Sequence, residues 1–452
     1  MDETTAAAGE SENKDILTED ETEITTVDIG KSDSGRAALI YGISDQPPWI
    51  MSFALALQHF SSNFTGCIVL PILLSKSLCF DKQDELLTKL IATSFFTTGI
   101  GTMLQVFLGC RLPILQGPAA AYLIPLIAML QVRGDCPVIS TANTTAVENN
   151  LLREEAFIRI REVQGVMMLA ALVQCIIGFT GLIGTLLRFI GPITIGVTIF
   201  MIGVGIIPVA MNLVEDHWCI SIPTIFLVIC FSMFLSNVSV PFPEAMEFVY
   251  LPFSQSMGNA YFQRCRICWR SHSLVASMLD SLGDYHACSQ VSLVPPPPLH
   301  AVNRGIGLEG IGCMIGALWG AGVGVTSRSS DIAVLNLTKV ASRTVLILSG
   351  LIFAVVAFLV KFSALMNAIP TPVLGASAVV IGTYEDRGMD WRTKTSQDNT
   401  AVTMSTELSV YQLPFGMRWI QKKNWMRYVP FSPTFAGFRQ PYNTAVPDDS
   451  SV

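Results

Sequence analysis

The chain has 452 residues, of which 51% are hydrophobic and 14% charged, and its formal net charge is −7. Soluble domains carry charge on about 25% of their residues, so this composition excludes a soluble globular protein and points to a lipid bilayer as the solvent. Much of the negative charge sits in the first 36 residues, where eleven Asp/Glu face three Lys/Arg; this reverses the pattern of a basic leader and argues against a nucleic-acid partner.

Residues 1–40 read as a disordered acidic cytosolic tail, too poor in apolar residues to bury a core. The transmembrane region covers 41–383 and a polar cytosolic tail 384–452. A first span is expected over 49–70, after the Pro47-Pro48 break, and a second over 90–108. The third, over 113–130, is interrupted by Gly117-Pro118 and Pro125. Breaks at membrane depth are tolerated where backbone lines a cavity or lies against protein. A polar loop over 131–162 holds the sequon Asn143-Thr144-Thr145. Spans four, five and six follow at 163–187, 189–209 and 219–235. With the acidic tail in the cytosol, alternation puts Asn143 outside as a glycosylation acceptor. It puts Arg111 and Arg188 inside, where basic residues are preferred. Cys79 and Cys136 then share the outer side, and a disulfide between them is open. The single CxxC, Cys265 and Cys268, has no second pair nearby and is not read as a metal site.

The second half is less regular. Residues 240–272 are mixed and polar, and a short apolar stretch at 274–279 leads into Asp280-Ser281-Leu282-Gly283-Asp284. The four prolines at 295–298 form a stiff connector. Residues 305–325 are Gly-rich and apolar enough to span. Residues 326–343 carry Arg328, Asp331, Lys339 and Arg343, too many charges for a lipid-facing helix. A span over 344–362 and half a span over 373–383 complete the apolar part.

Two interrupted segments therefore stand out, Gln116-Gly117-Pro118 and the run from Ser327 to Ala333. Such a pair in corresponding halves points to a transporter's midplane site, although packing kinks with glycine at helix contacts fit the same pattern. Asp280 and Asp284 lie four apart, on one face if helical; a carboxylate near membrane depth is costly to keep and is usually functional. Gln58-His59 sits inside the first span, and Arg328 and Asp331 are spaced to pair on a helix. No HExxH, GxSxG or P-loop is present, so no enzyme activity is expected.

The segments YGISDQPPW, LALQHF, RLPILQGPAAAYLIP, GPITIG, SMLDSLGDYHAC, PPPPLHAVNRGIGLEG and LNLTKVASR resemble the nucleobase–ascorbate transporter family, in its animal branch of sodium-dependent vitamin C and nucleobase transporters. The tail LPFGMRWIQKKNWMRYVPFSPTFAGF is similar to that branch too. The resemblance implies an all-α polytopic membrane protein with an inverted-repeat core/gate transporter fold, and short strands in two broken spans. It implies a small-molecule solute, sodium as the coupling ion and no other cofactor, and it is compatible with a homodimer. Asp280 matches the eighth-span glutamate that binds substrate. Ser330 and Asp331 begin the tenth-span signature, Gln116 and Tyr122 line the third-span side, and Gln58 and His59 match the first-span pair.

The departures are specific. The signature usually reads Gln, Glu or Pro, then Asn, any residue, Gly; here it reads Ser330, Asp331, Ile332, Ala333. Arg328 stands in a stretch that is Ser-rich in relatives, where a cation would favour an anionic solute or obstruct the site. Several spans of the family plan look missing or incomplete: the seventh and the start of the eighth, and those after Gly382-Thr383. The expectation is a sodium-coupled nucleobase or ascorbate transporter at the plasma membrane. The alternative is a shortened, non-transporting membrane protein or a partner subunit of longer relatives.

Overall fold

A computed structural model describes residues 39–80, 85–134, 136, 146–186, 197, 211, 214–234, 268–359, 362–363, 365, 373 and 407–435. The chain divides into Met1–Ala38 and Leu39–Val452. The acidic tail, the sequon at Asn143, most of the fifth span, the connector at 240–267 and the junction at Gly382 all lie outside the described residues.

The helices are α1 (Trp49–Ser75), α2 (Glu85–Phe107), α3 (Ala120–Arg133), α4 (Ala146–Thr180), α5 (Leu182–Leu186), α6 (Trp218–Phe234), α7 (Cys268–Val291), α8 (Leu299–Trp319), α9 (Ser329–Thr338), α10 (Arg343–Phe358) and α11 (Met417–Lys422). Two three-residue strands, β1 (Gln116–Pro118) and β2 (Val325–Ser327), precede α3 and α9. Among the described residues, three helical stretches are long and apolar enough to cross a membrane: Trp49–Leu78, Glu85–Phe107 and Leu152–Thr180. The architecture is that of a multi-pass helical membrane protein.

Two sequence expectations need correction here. The third segment breaks only at β1, and α3 continues through Pro125. Pro125 is the sixth residue of that helix, and the one intrahelical bond it removes would have gone to the Ala121 carbonyl. In the second half, α7 reaches back to Cys268, into the stretch read from sequence as mixed and polar. Its 24 residues rise about 36 Å. The hydropathy pattern hides it because Asp280, Ser281 and Asp284 belong to a helix that faces protein.

Packing partners are exchanged between the two halves. α4 lies along α8 while α2 lies along α10, and α1 meets α9 while α7 meets α3. Glycine permits the two long interfaces. A Cβ on Gly99 of α2 would fall 2.6 Å from the Gly350 carbonyl oxygen of α10, and one on Gly178 of α4 would fall 2.3 Å from the Gly307 nitrogen of α8. Lipid gives no hydrophobic drive for helices to associate, so such backbone contact supplies the attraction. Phe60, Phe95 and Phe353 fill the space between α1, α2 and α10, with the Phe60 and Phe353 rings 4.6 Å apart.

A disulfide joins Cys79, just after α1, to Cys136, just after α3, so those two ends share one side of the membrane. On the opposite side the 407–435 segment docks. Arg343 donates to the Val410 carbonyl at 2.7 Å, Arg304 to the Tyr411 carbonyl at 2.8 Å, and Arg111 to the Gln412 carbonyl. The Tyr411 side chain is fully buried, and its hydroxyl donates to the Pro295 carbonyl at 2.6 Å. Farther along, Asn303 donates to the Pro430 carbonyl at 2.9 Å and Phe431 meets Phe179 edge-on. The basic residues of this side thus hold backbone of the chain's own tail.

Candidate functional site

The two strands cross in the middle of the helical body. They pair antiparallel, with Gln116 opposite Ser327, Gly117 opposite Thr326 and Pro118 opposite Val325. The pairing extends at both ends, where Ala119 N–H donates to the Gly324 carbonyl at 2.8 Å and Arg328 N–H to the Leu115 carbonyl at 3.1 Å. Backbone at this depth must be satisfied by protein, and each interrupted segment satisfies the other. The helices that leave the strands, α3 and α9, turn their N-terminal ends toward the crossing. Those ends carry partial positive charge and unused N–H groups.

α1 and α7 close the crossing from two sides. Asn63 of α1 donates to the Gln116 carbonyl at 3.1 Å. This approach requires glycine at 117, because a Cβ there would lie 2.3 Å from Asn63 Nδ2. From α7, Ser281 Oγ lies 2.6 Å from Thr326 Oγ1, and Ser327 donates to Asp284 at 2.9 Å. Behind the strands, Glu309 of α8 is buried and fully engaged. It accepts from Ser281 at 2.7 Å, from Tyr285 at 2.7 Å and from Gln116 Nε2 at 3.3 Å, and Gln105 donates to Tyr285 at 2.6 Å.

The residues singled out from sequence divide by position. His59 Nδ1 donates to Asp331 Oδ1, and the Leu115 N–H donates to Asp331 Oδ2 at 3.0 Å. Asp331 therefore ties α1, the entry to β1 and α9 together, and it is completely buried. The spacing of Arg328 and Asp331 suggests a pair on one helix; among the described residues no such pair forms. Arg328 precedes α9 in extended backbone, φ −119°, so the helical i, i+3 geometry does not apply to it. Gln116 is buried at the crossing. Tyr122 lays its ring against Gly324, next to β2, and its hydroxyl donates to Gln174 Oε1 of α4 at 2.9 Å. Gln58 is buried in α1 beside His59, and Ser330 is buried in the first turn of α9. Asp280 is half-buried one turn before Asp284.

Sequence reading misses Glu309 and Asn63. Glu309 is the one acidic residue in the apolar run 305–325, and Asn63 is an amide inside the first span; intramembrane polarity of this kind is the signal that could have found them. Among the described residues no group of His, Cys, Asp and Glu could hold a metal ion. Around the crossing, Asn63 Oδ1, Gln116 Oε1, Arg328 Nε and Ser330 Oγ are buried and have no hydrogen-bond partner among the described residues.

Comparison with known proteins places this geometry in a family. The chain matches the family model Xan_ur_permease, described as a permease family, over residues 51–227 and 218–383. It is 30% identical to "Solute carrier family 23 member 2" of Rattus norvegicus, covering 90% of this chain and 84% of that protein. It is 28% identical to "Nucleobase-ascorbate transporter 11" of Arabidopsis thaliana, covering 73% of this chain and 54% of that protein. The alignment with the rat protein runs over 553 residues, more than the 452 of the whole chain, so it crosses gaps in this sequence. Among solved structures, the transmembrane domain of a cyanobacterium bicarbonate transporter BicA matches at 15% identity and TM-score 0.44, over 78% of this chain and 93% of that one, a likeness too loose to assign anything further.

Proposed function

This chain belongs to the permease family and is a multi-pass membrane solute transporter; we propose that it moves a nucleobase or ascorbate-like solute across the plasma membrane, coupled to sodium. The carrying observation is the crossing of β1 and β2 at the N-terminal ends of α3 and α9, surrounded by buried polar atoms without partners. Interrupted segments with half-helix ends facing one another are the arrangement by which transporters hold a polar solute at the midplane. The solute names come from the relatives, which are called a solute carrier and a nucleobase-ascorbate transporter.

In this reading Asp280, Gln116 and Ser330 face the solute. Gln58, His59, Tyr122 and Asp331 hold the two half-helices in register around it. The exchanged packing of α4 on α8 and α2 on α10 supports an inverted-repeat core. The gaps crossed by the alignment support a shortened gate domain beside it.

The test is uptake of labelled uracil, hypoxanthine and ascorbate, with and without sodium, in cells expressing the full chain. Surface labelling and glycosidase sensitivity at Asn143 report arrival at the plasma membrane. Sodium-dependent uptake of at least one solute is expected. Background uptake of all three by a chain that has reached the surface would refute the proposal.

A further inference from the structure

Two buried arginines and the half-buried Arg343 show how this fold satisfies a guanidinium held against protein. Arg159, 3% exposed, donates to Glu155 at 3.0 Å and to the Ser77 and Gly134 carbonyls at 3.1 and 2.9 Å. Arg304, 4% exposed, donates to the Gly109 and Tyr411 carbonyls at 2.7 and 2.8 Å. Arg343 donates to the Arg111 and Val410 carbonyls, both at 2.7 Å. Each of the three has at least two acceptors.

Arg328 is different. It is 9% exposed and directly follows β2 at the strand crossing. Among the described residues one bond is made, from Nη1 to the Pro118 carbonyl at 3.3 Å, and Nε has no partner. Among the described residues no carboxylate lies within ion-pair range of it. The neighbouring acids are engaged elsewhere: Asp331 by His59 and Leu115, Asp284 by Ser327, and Glu309 by Ser281, Tyr285 and Gln116, while the half-buried Asp280 of α7 has an interaction of its own. The guanidinium reaches α1, where a Cβ on Gly66 would lie 3.6 Å from Nη2. A cation at membrane depth is retained where it has a charge partner or a task.

Two further features favour negative charge at the same place. Arg328 is the N-cap of α9, a ten-residue helix whose end no side chain caps. Its first-turn N–H groups and dipole favour an anion. Ser330, in that first turn, is 8% exposed and its hydroxyl has no partner among the described residues. A guanidinium and a helix N-terminus, with a hydroxyl in the first turn that has no partner among the described residues, are donors of the kind that suit a delocalised oxyanion.

We propose that Arg328 sets the charge preference of this site: the transported solute is a small planar organic monoanion, and neutral solutes of the same shape are discriminated against. This rests on the transporter reading above and narrows it. Arg328 acts by offering its unused donors to the anion, whose charge replaces the missing carboxylate.

The test compares matched pairs at neutral pH in cells expressing the full chain: urate (monoanion) against hypoxanthine (neutral), and ascorbate (monoanion) against uracil (neutral). Wild type is expected to favour the anion of each pair. Arg328→Gln should lower the anion-to-neutral uptake ratio at least tenfold, and Arg328→Lys, which keeps the charge and loses the planar fork, by less. Should Arg328→Gln fail to reach the surface, the same four solutes are scored on purified wild-type chain by the shift in melting temperature, with the anions expected to stabilise more. Uptake or binding of the neutral member alone would overturn the proposal and leave the transporter reading standing. So would a ratio unchanged within twofold in Arg328→Gln, or a rise in anion uptake showing that the arginine obstructs the site. No uptake and no melting shift with any of the four would remove the transporter reading, and this inference with it.

Discussion

The two interrupted segments share a backbone plan and differ in the residues that come after the strand. After β1 stand Ala119, Ala120, Ala121 and Tyr122, small and apolar until a tyrosine whose hydroxyl is spent on Gln174 of α4. After β2 stand Arg328, Ser329, Ser330 and Asp331, of which one is charged and under-bonded and another locks three elements together. The first segment is a wall that α1 leans on through Asn63 and Gly117. The second carries the chemistry. In the proposed transporter the two half-helices would divide the work, the second supplying the charge.

Removing the lock on the second side should have the largest effect. Asp331→Ala leaves His59 and the Leu115 N–H without their shared acceptor, and breaking a buried pair in this way costs about 3–5 kcal/mol. Denaturant unfolding in detergent would measure the loss; a cost near that of a surface substitution would mean that Asp331 is not the tie between α1 and α9. On the first side, Gly117→Ala drives a methyl into Asn63 Nδ2. Overpacking of this size costs about 1–3 kcal/mol, and solute uptake should fall with the strand register. Full activity in that variant would show that α1 can withdraw without harm.

Smaller effects sharpen the contrast. Tyr122→Phe should cost about 1–2 kcal/mol by taking the donor from Gln174, while the ratio of anionic to neutral solute taken up stays unchanged. A shift in that ratio would move Tyr122 from the wall into the solute contact. Ser330→Pro should change stability by about 1 kcal/mol or less, since the first turn of a helix tolerates proline. Combined with Asp331→Asn, which moves the segment toward the family's pattern, it should raise uptake of neutral nucleobases, read as initial rates; a further fall would mean that the alignment of this strand is shifted.

How much of this is legible in the sequence varies with the kind of interaction. The interruption at Gly117-Pro118 can be read directly, because a proline inside an apolar run removes a backbone donor and the glycine before it weakens the helix further. The polar turn at Arg328 to Asp331 is equally visible, because charge in a spanning segment is costly. The partner of Asp331 is not. Spacing suggests Arg328, three residues away, and the structure supplies His59 from another helix 272 positions earlier. α7 is partly hidden for the same reason. Its polar residues interrupt the apolar pattern, and their partners Thr326, Ser327 and Glu309 come from other elements.

By itself the sequence determined that the chain lives in a bilayer, which segments are interrupted, and the family it belongs to, because lipid imposes length and apolarity one segment at a time. Only the tertiary structure decided which polar group answers which: Asp331 with His59, Glu309 with Ser281 and Tyr285, the basic ends of the helices with the tail at 410–412, and Arg328 with a single carbonyl. Hydrogen bonds and ion pairs act over a few ångströms between elements far apart in the chain, so their partners are fixed by the way helices cross and not by residue spacing.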